Sequence, residues 1–415
     1  MGLILKIRGF VIVGIAIVLI LGALARALFI QYPGLAGDVE LYAYWGEVLV
    51  ASGFSRFYYE ISFCDYPPGY LYMLWAVTQL RFLFPGVNHV IFLKLPAIIF
   101  DLAAVYFVYR VADARLSRRH SLLIAALVAL NPMMIFNSTI WGQMDIIFTL
   151  FVVLCVYFLT EEKYELGAAA FALALLVKPQ ALLIAPLLLY VFVEKVYRAA
   201  TENGSVHFWM KKLGSCAVVF LVVFYIVILP FGGTFNPLWI ISLYFGTINQ
   251  YSYVSLNAYN FWWAIGSHWI PTTYTLGPLT YSGWGWIANG FTVAACGAFF
   301  FKYKGEGRLF FTGALLYTSV FMLSHRMHER YLFPAVLLFI AAYVYDKKPL
   351  TLALGLYFTV HNLFNLIGAM YWDGIFIRTR TVIAVLGVVG LVVAYGYAVY
   401  RVRVAAKSGV GDGHA

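Results

Sequence analysis

Charged side chains are scarce in this sequence, so the places where they gather are informative. Gly37-Asp38-Val39-Glu40 forms one such place, and Asp65-Tyr66-Pro67-Pro68-Gly69-Tyr70 follows it. Further on come Trp141-Gly142-Gln143-Met144-Asp145, Lys178-Pro179-Gln180, Ser255-Leu256-Asn257-Ala258-Tyr259-Asn260 and His325-Arg326-Met327-His328-Glu329-Arg330. A carboxylate such as Asp38, facing a cavity, suits a general base that takes the proton of an acceptor hydroxyl; Gly37 beside it gives the chain local freedom. Arg330 can hold a phosphate through paired hydrogen bonds, with His328 as a further donor. Together these describe sugar transfer from a lipid phosphate, in which the sugar carbon is attacked opposite the leaving phosphate. One base and one cationic clamp suffice, without a metal or other cofactor. A double-carboxylate hydrolase would set two acids across the bond, an arrangement that Asp38 and Glu40, two residues apart, do not establish.

The elements that must position these groups are membrane helices. Hydrophobic residues make up 63% of the 415 residues and charged ones 11%, a balance that no soluble fold can bury. The net charge of +10 does not point to nucleic acid, because Lys and Arg are scattered between apolar runs rather than gathered in one stripe. Apolar runs at 9–30, 90–111, 121–138, 143–160, 165–178, 180–194, 213–231, 283–302, 308–324, 332–346, 349–370 and 379–400 predict an all-α polytopic bundle of about twelve transmembrane helices. The basic clusters Arg110/Arg115/Arg118/Arg119, Lys163, Lys195/Arg198/Lys211/Lys212, Lys302/Lys304/Arg308, Lys347/Lys348 and Arg401/Arg403/Lys407 fall on alternate loops, which puts them and both termini in the cytoplasm. Counting 68–84 as a span would break that alternation, so this run is expected to lie in the outer interface. Residues 31–89 then form a first outer loop, with an aromatic amphipathic helix over Leu41–Val50. Lys178-Pro179-Gln180 forms the outer tip of a helical hairpin broken by proline. The expected organisation is one membrane domain: 1–231 as a catalytic-module-like half, 232–406 as C-terminal helices and outer loops, and 407–415 as a short cytoplasmic tail. Every polar motif named above then faces the same, non-cytoplasmic compartment, and ionisable groups at such depth are costly unless they are used.

Each residue also has a plainer duty open to it. Asp38 and Glu40 fit ordinary solvated carboxylates, Gln143 and Asp145 fit a helix cap, and Tyr66 with its prolines fits a helix start. Lys178 fits a snorkelling lysine, and Asn257 and Asn260 fit turns. His325 and His328, three apart, lack the further ligands of a metal site. His361 and Asn365 suit an interhelical hydrogen bond, and the four cysteines suit inert packing.

The order of Gly-Asp-x-Glu, Asp-Tyr-Pro-Pro, Trp-Gly-Gln-x-Asp, Lys-Pro-Gln, Asn-Ala-Tyr-Asn and His-x-x-His-Glu-Arg-Tyr over residues 1–346 resembles the GT-C superfamily of polyprenyl-phosphate-sugar-dependent glycosyltransferases. It looks most like prokaryotic relatives of the second mannosyltransferase of GPI-anchor assembly. That resemblance implies Asp38 as catalytic base. It assigns donor and acceptor binding to outer-loop residues: Glu40, Tyr66, Gln143, Asp145, Lys178, Asn257, Asn260, His325, His328, Glu329 and Arg330. The implied partners are a polyprenyl-phosphate hexose, with mannose expected, an acceptor that is a glycolipid, glycan or protein, and the lipids of a prokaryotic plasma membrane. A transporter or flippase of lipid-linked sugars is the rival; it would concentrate polar residues at the midplane in repeated halves, whereas here they sit on outer loops and no repeat is visible.

Overall fold

The computed structural model describes residues 2–202, 204–233, 236–371 and 377–407, with side chains from residue 13 onward except those of 248 and 249. The short tail expected over 407–415 lies, beyond Lys407, outside the described residues. The chain is nearly all helix: α1 (Gly2–Ala27), α2 (Ala36–Ser52), α3 (Phe54–Glu60), α4 (Pro68–Leu83), α5 (His89–Asp113), α6 (Arg118–Ala129), α7 (Pro132–Ile135), α8 (Asp145–Thr160), α9 (Tyr164–Val177), α10 (Ala185–Thr201), α11 (Val206–Ile228), α12 (Trp239–Gln250), α13 (Phe261–Ala264), α14 (Tyr281–Lys302), α15 (Arg308–Leu323), α16 (Phe333–Asp346), α17 (Pro349–Met370) and α18 (Ile377–Lys407). A π-helical turn, Phe136–Trp141, follows α7, and a 3₁₀ turn, Pro179–Ile184, precedes α10.

The twelve apolar runs all become helix. Among the described residues seven helices are long and apolar enough to cross a membrane: His89–Asp113, Arg118–Trp141, Pro179–Thr201, Val206–Phe231, Tyr281–Lys302, Pro349–Met370 and Ile377–Lys407. Five shorter apolar helices accompany them: Val13–Ala27, Asp145–Thr160, Tyr164–Val177, Arg308–Leu323 and Phe333–Asp346. The chain is an integral membrane protein, and α11 gives the physical reason. From Cys216 to Ile228 its residues are apolar on every side, yet Ile228 is the one buried position in the helix, and Val218, Leu221 and Ile226 are each at least 60% exposed. A helix apolar all round that stays uncovered by protein needs a hydrocarbon solvent. By contrast α15 and α16 are buried along almost their whole length.

Close packing divides the chain into two compact units, Met1–Cys64 with Leu71–Leu150, and Asp65–Tyr70 with Phe151–Ala415. In the first, α1 packs against α5 and α6. Gly22 lets α1 approach α6, where an added Cβ would sit 3.2 Å from the Cβ of Ala129. Helix α2 buries Val39, Tyr42, Trp45, Gly46 and Leu49, a stripe of helical spacing. In the second unit α9 packs on α11, and α14 to α18 form consecutive packed pairs. Two short parallel strands, β1 (Ser255–Leu256) and β4 (Met327–His328), tie two of its loops together, while β2 (Thr275–Leu276) and β3 (Leu279–Thr280) make a hairpin.

One local expectation changes and another is extended. The first loop's helix starts at Ala36, five residues ahead of Leu41, so Asp38 stands on the first turn of a helix and Gly37 is inside it. The residues that need unusual backbone are instead Gly34 (φ 85°) and Gly142 (φ 89°). His361 and Asn365 bond within α17, and the Asn365 Oδ1 also accepts from the backbone N–H of Tyr259 at 2.6 Å, so besides meeting the backbone of Ile383 in α18 through the His361 ring they also hold a loop.

Candidate functional site

In the first unit the residues around Asp38 form a cradle. The carboxylate is half-exposed, and its Oδ2 accepts from the Trp141 indole Nε1 at 2.7 Å and from the Gln143 Nε2 at 2.5 Å. Both donors are buried. The Gln143 amide is oriented from its other end, where the hydroxyl of buried Tyr42 donates to Oε1 at 3.0 Å. Tyr42 lies one helical turn beyond Asp38 on α2, so the helix that carries the carboxylate also carries the group that aims its partner. The carboxylate stands on the first turn of α2, where the helix dipole favours negative charge. Glu40, two residues further along, is exposed and has no hydrogen bond or ion pair among the described residues.

The backbone explains why Trp141 reaches Asp38. Asn131 caps α7 with its side chain, and Pro132 begins the helix, which then widens into the π turn. A π turn carries one extra residue and so redirects the side chain at its end. Gly142 reverses the chain in the left-handed region, and the N–H of Gln143 returns to the carbonyl of Asn137 at 2.8 Å. Leu35 donates its N–H to the Trp141 carbonyl at 3.0 Å. An added Cβ on Gly34 would lie 2.7 Å from the Trp141 carbonyl oxygen and 2.5 Å from Val39 Cγ2, so only glycine fits where the two segments meet. Beneath the turn, Ser138 donates to Asp101 Oδ2 at 2.6 Å, and the same oxygen accepts from buried Arg26 Nε at 2.7 Å. Asp145, the first residue of α8, is buried, and its Oδ2 accepts from Asn137 Nδ2 at 2.9 Å. Tyr42, Arg26 and Asp101 are the members that the motif reading missed, and Trp141, though part of a motif, has no role in that reading. Arg26 and Asp101, charges inside apolar runs 75 residues apart, are the signal that was there to find.

The second unit gathers the histidine and arginine motif. β4 pairs with β1, which sets His328 opposite Leu256 and bridges it to Asn257. The His328 ring meets Tyr251 and Tyr331, with centroids 4.9 and 5.2 Å away, and Arg330 Nη1 lies 3.2 Å from Glu329 Oε1. His325 faces elsewhere. It is buried against Trp286, and its Nδ1 has no hydrogen-bond partner. Burial, helped by the neighbouring Arg326 charge, pushes its pKa down to about 4, so the imidazole is neutral at ordinary pH. Asn257 adopts a left-handed backbone and accepts from Trp269 Nε1 at 3.1 Å. Asn260 is fully buried: it caps α13 through the N–H of Trp263 and donates to the Phe321 carbonyl at 3.1 Å. Both asparagines therefore have turn and cap duties. Lys178, extended between α9 and the 3₁₀ turn, is buried with its ammonium 5.5 Å from the Tyr66 ring centroid. Gly69 lets the Asp65–Tyr70 segment reach the end of α9, where an added Cβ would come within 2.6 Å of the Leu176 carbonyl oxygen.

The family profile described as GPI transamidase subunit PIG-U matches residues 46–268. The matched stretch contains Tyr66, Trp141, Gln143, Asp145, Lys178, Asn257 and Asn260, and begins eight residues after Asp38. No curated protein is significantly similar to the chain. With just over half of its residues matched and a helical body apolar enough for the bilayer, the chain belongs to the family of GPI transamidase subunit PIG-U, a glycosyltransferase-like family of membrane proteins.

Proposed function

We propose that the chain is a membrane glycosyltransferase that moves a hexose, with mannose the first candidate, from a polyprenyl phosphate to an acceptor hydroxyl at the non-cytoplasmic face. The observation that carries this reading is the Asp38 carboxylate, half-exposed and held through one oxygen by two buried donors at the start of a helix. A base needs that fixed geometry before its basicity can be used. In the reaction the acceptor oxygen bonds to the anomeric carbon as its proton passes to Asp38. The bond to the phosphate oxygen breaks on the opposite face, inverting the centre and releasing polyprenyl phosphate. Arg330 and His328 bind the phosphate, and no metal or cofactor takes part. The alternation of basic loops supports the non-cytoplasmic side for these residues and a cytoplasmic position for both termini, in a prokaryotic plasma membrane.

The family match favours a second reading, in which the chain recognises a GPI-type glycolipid as a subunit and turns nothing over. One experiment separates them. The purified chain is given a synthetic polyprenyl-phosphate radiolabelled hexose and a membrane lipid extract. The transferase reading requires labelled product and released polyprenyl phosphate in equal amounts. Glycolipid bound by the wild-type chain without any turnover would overturn it in favour of the subunit reading.

A further inference from the structure

The cradle of Asp38 leaves one conspicuous group unused, Lys94 in the second turn of α5. No part of its side chain reaches the surface. A buried ammonium is costly unless it is paired, yet no carboxylate lies within ion-pair distance of it among the described residues. Its Nζ donates instead to two backbone carbonyls, Ile30 at 3.2 Å and Tyr32 at 2.5 Å. Those carbonyls belong to the stretch between α1 and α2, where no helix ladder can use them. The stem of the same lysine touches the other side of the cradle: an added Cβ on Gly142 would lie 3.6 Å from Lys94 Cε and 3.9 Å from Cγ. Lys94 therefore meets both the segment that delivers Asp38 and the turn whose flanking residues, Trp141 and Gln143, bind its carboxylate.

We infer that Lys94 is a positioning residue: its ammonium clamps the carbonyls of Ile30 and Tyr32, fixes residues 30–38 against the 141–143 turn, and so keeps the Trp141 indole on Asp38. A side chain that cannot donate would withdraw the ammonium from both carbonyls, and the segment would lose the anchor that holds it to α5. An arginine, still charged and still a donor, would hold them.

The full chain, labelled with 5-fluorotryptophan, gives a fluorine NMR spectrum in which the Trp141 resonance is the one absent from Trp141→Phe. Lys94→Met and Lys94→Leu, which carry no donor, should displace that resonance and leave those of the other tryptophans in place, whereas Lys94→Arg should keep it near its wild-type position. An unmoved Trp141 resonance in either neutral variant overturns the inference, even if the melting temperature falls, because a merely structural lysine would do that much. If neither neutral variant accumulates, Lys94→Arg decides, and a displaced Trp141 resonance in that folded variant overturns it. A second arm rests on the transferase reading. There Lys94→Met should lower kcat by about 10- to 100-fold, the scale of a misplaced reacting group, with the donor KM unchanged and Lys94→Arg restoring most of it. A wild-type chain that transfers no hexose ends the transferase reading but leaves the Trp141 resonance as the test of Lys94.

Discussion

Replacing Asp38 by asparagine separates chemistry from architecture, because both of its buried donors converge on a single oxygen. Trp141 Nε1 and Gln143 Nε2 reach the same Oδ2, at 2.7 and 2.5 Å. An amide can put its carbonyl oxygen there and keep both bonds, which change from charge-assisted to neutral. That change costs about 1 kcal/mol per bond, and solvent at the half-exposed carboxylate reduces the total to about 1–2 kcal/mol. Asp38→Ala instead leaves two buried donors unpaired, at about 1–3 kcal/mol each, or about 2–6 kcal/mol in all. Thermal melting in detergent should therefore rank wild type, Asp38→Asn and Asp38→Ala in falling order, with the asparagine variant close to wild type. Turnover of a polyprenyl-phosphate hexose should fall by about 10²–10⁴-fold in Asp38→Asn, the usual contribution of a general base, while donor binding is retained. Equal destabilisation of the two variants would refute the convergence on one oxygen. Near-normal turnover in Asp38→Asn would refute the base, and a larger loss in Glu40→Gln would move that role to Glu40.

Arg330→Ala should weaken donor binding, measured by titration into lipid nanodiscs, by about 10- to 100-fold for the loss of a charge-assisted contact. Arg330→Lys should recover only part of this, because the fork geometry is lost; unchanged affinity removes Arg330 from the site. His325 has a folded pKa of about 4 against an ordinary 6.5, so unfolding takes up a proton between those values and stability is lost as pH falls from about 6.5 towards 4. Melting curves across that range should show the loss in wild type and a shallower one in His325→Gln; equal slopes dismiss the histidine. Gly34→Ala places a Cβ 2.7 Å from the Trp141 carbonyl oxygen at a φ of 85°, and should cost about 1–3 kcal/mol of stability with a displaced Trp141 signal; a wild-type melt would show that the segments are not so closely apposed. Single cysteines at Arg56 and Asn88 should both react with an impermeant reagent in intact cells, and protection of position 88 alone would mean that 68–84 crosses the membrane.

The sequence by itself determined the class of solvent and the positions of the helices. Long apolar runs separated by scattered cations have one physical outcome, since backbone polar groups in hydrocarbon must bond within their own helix. All twelve runs are helical, and the proline at 179 breaks the chain where the Lys-Pro-Gln motif predicted. The turn duty of Asn260 was legible too, because its side-chain oxygen accepts from an amide only three residues away. What the sequence left open depends on contacts across long separations. Nothing local to Asp38 says that Trp141 and Gln143 hold its carboxylate, that a tyrosine one turn along aims the glutamine, or that α2 begins before the acid rather than after it. Glycine at 37 drew attention because it adjoins the carboxylate, whereas the demanding positions were 34 and 142, where two segments press on each other. Lys94 read as one more residue in an apolar run, and only the tertiary structure brings the Ile30 and Tyr32 carbonyls to its ammonium, because hydrogen bonding follows distance in space and not spacing along the chain.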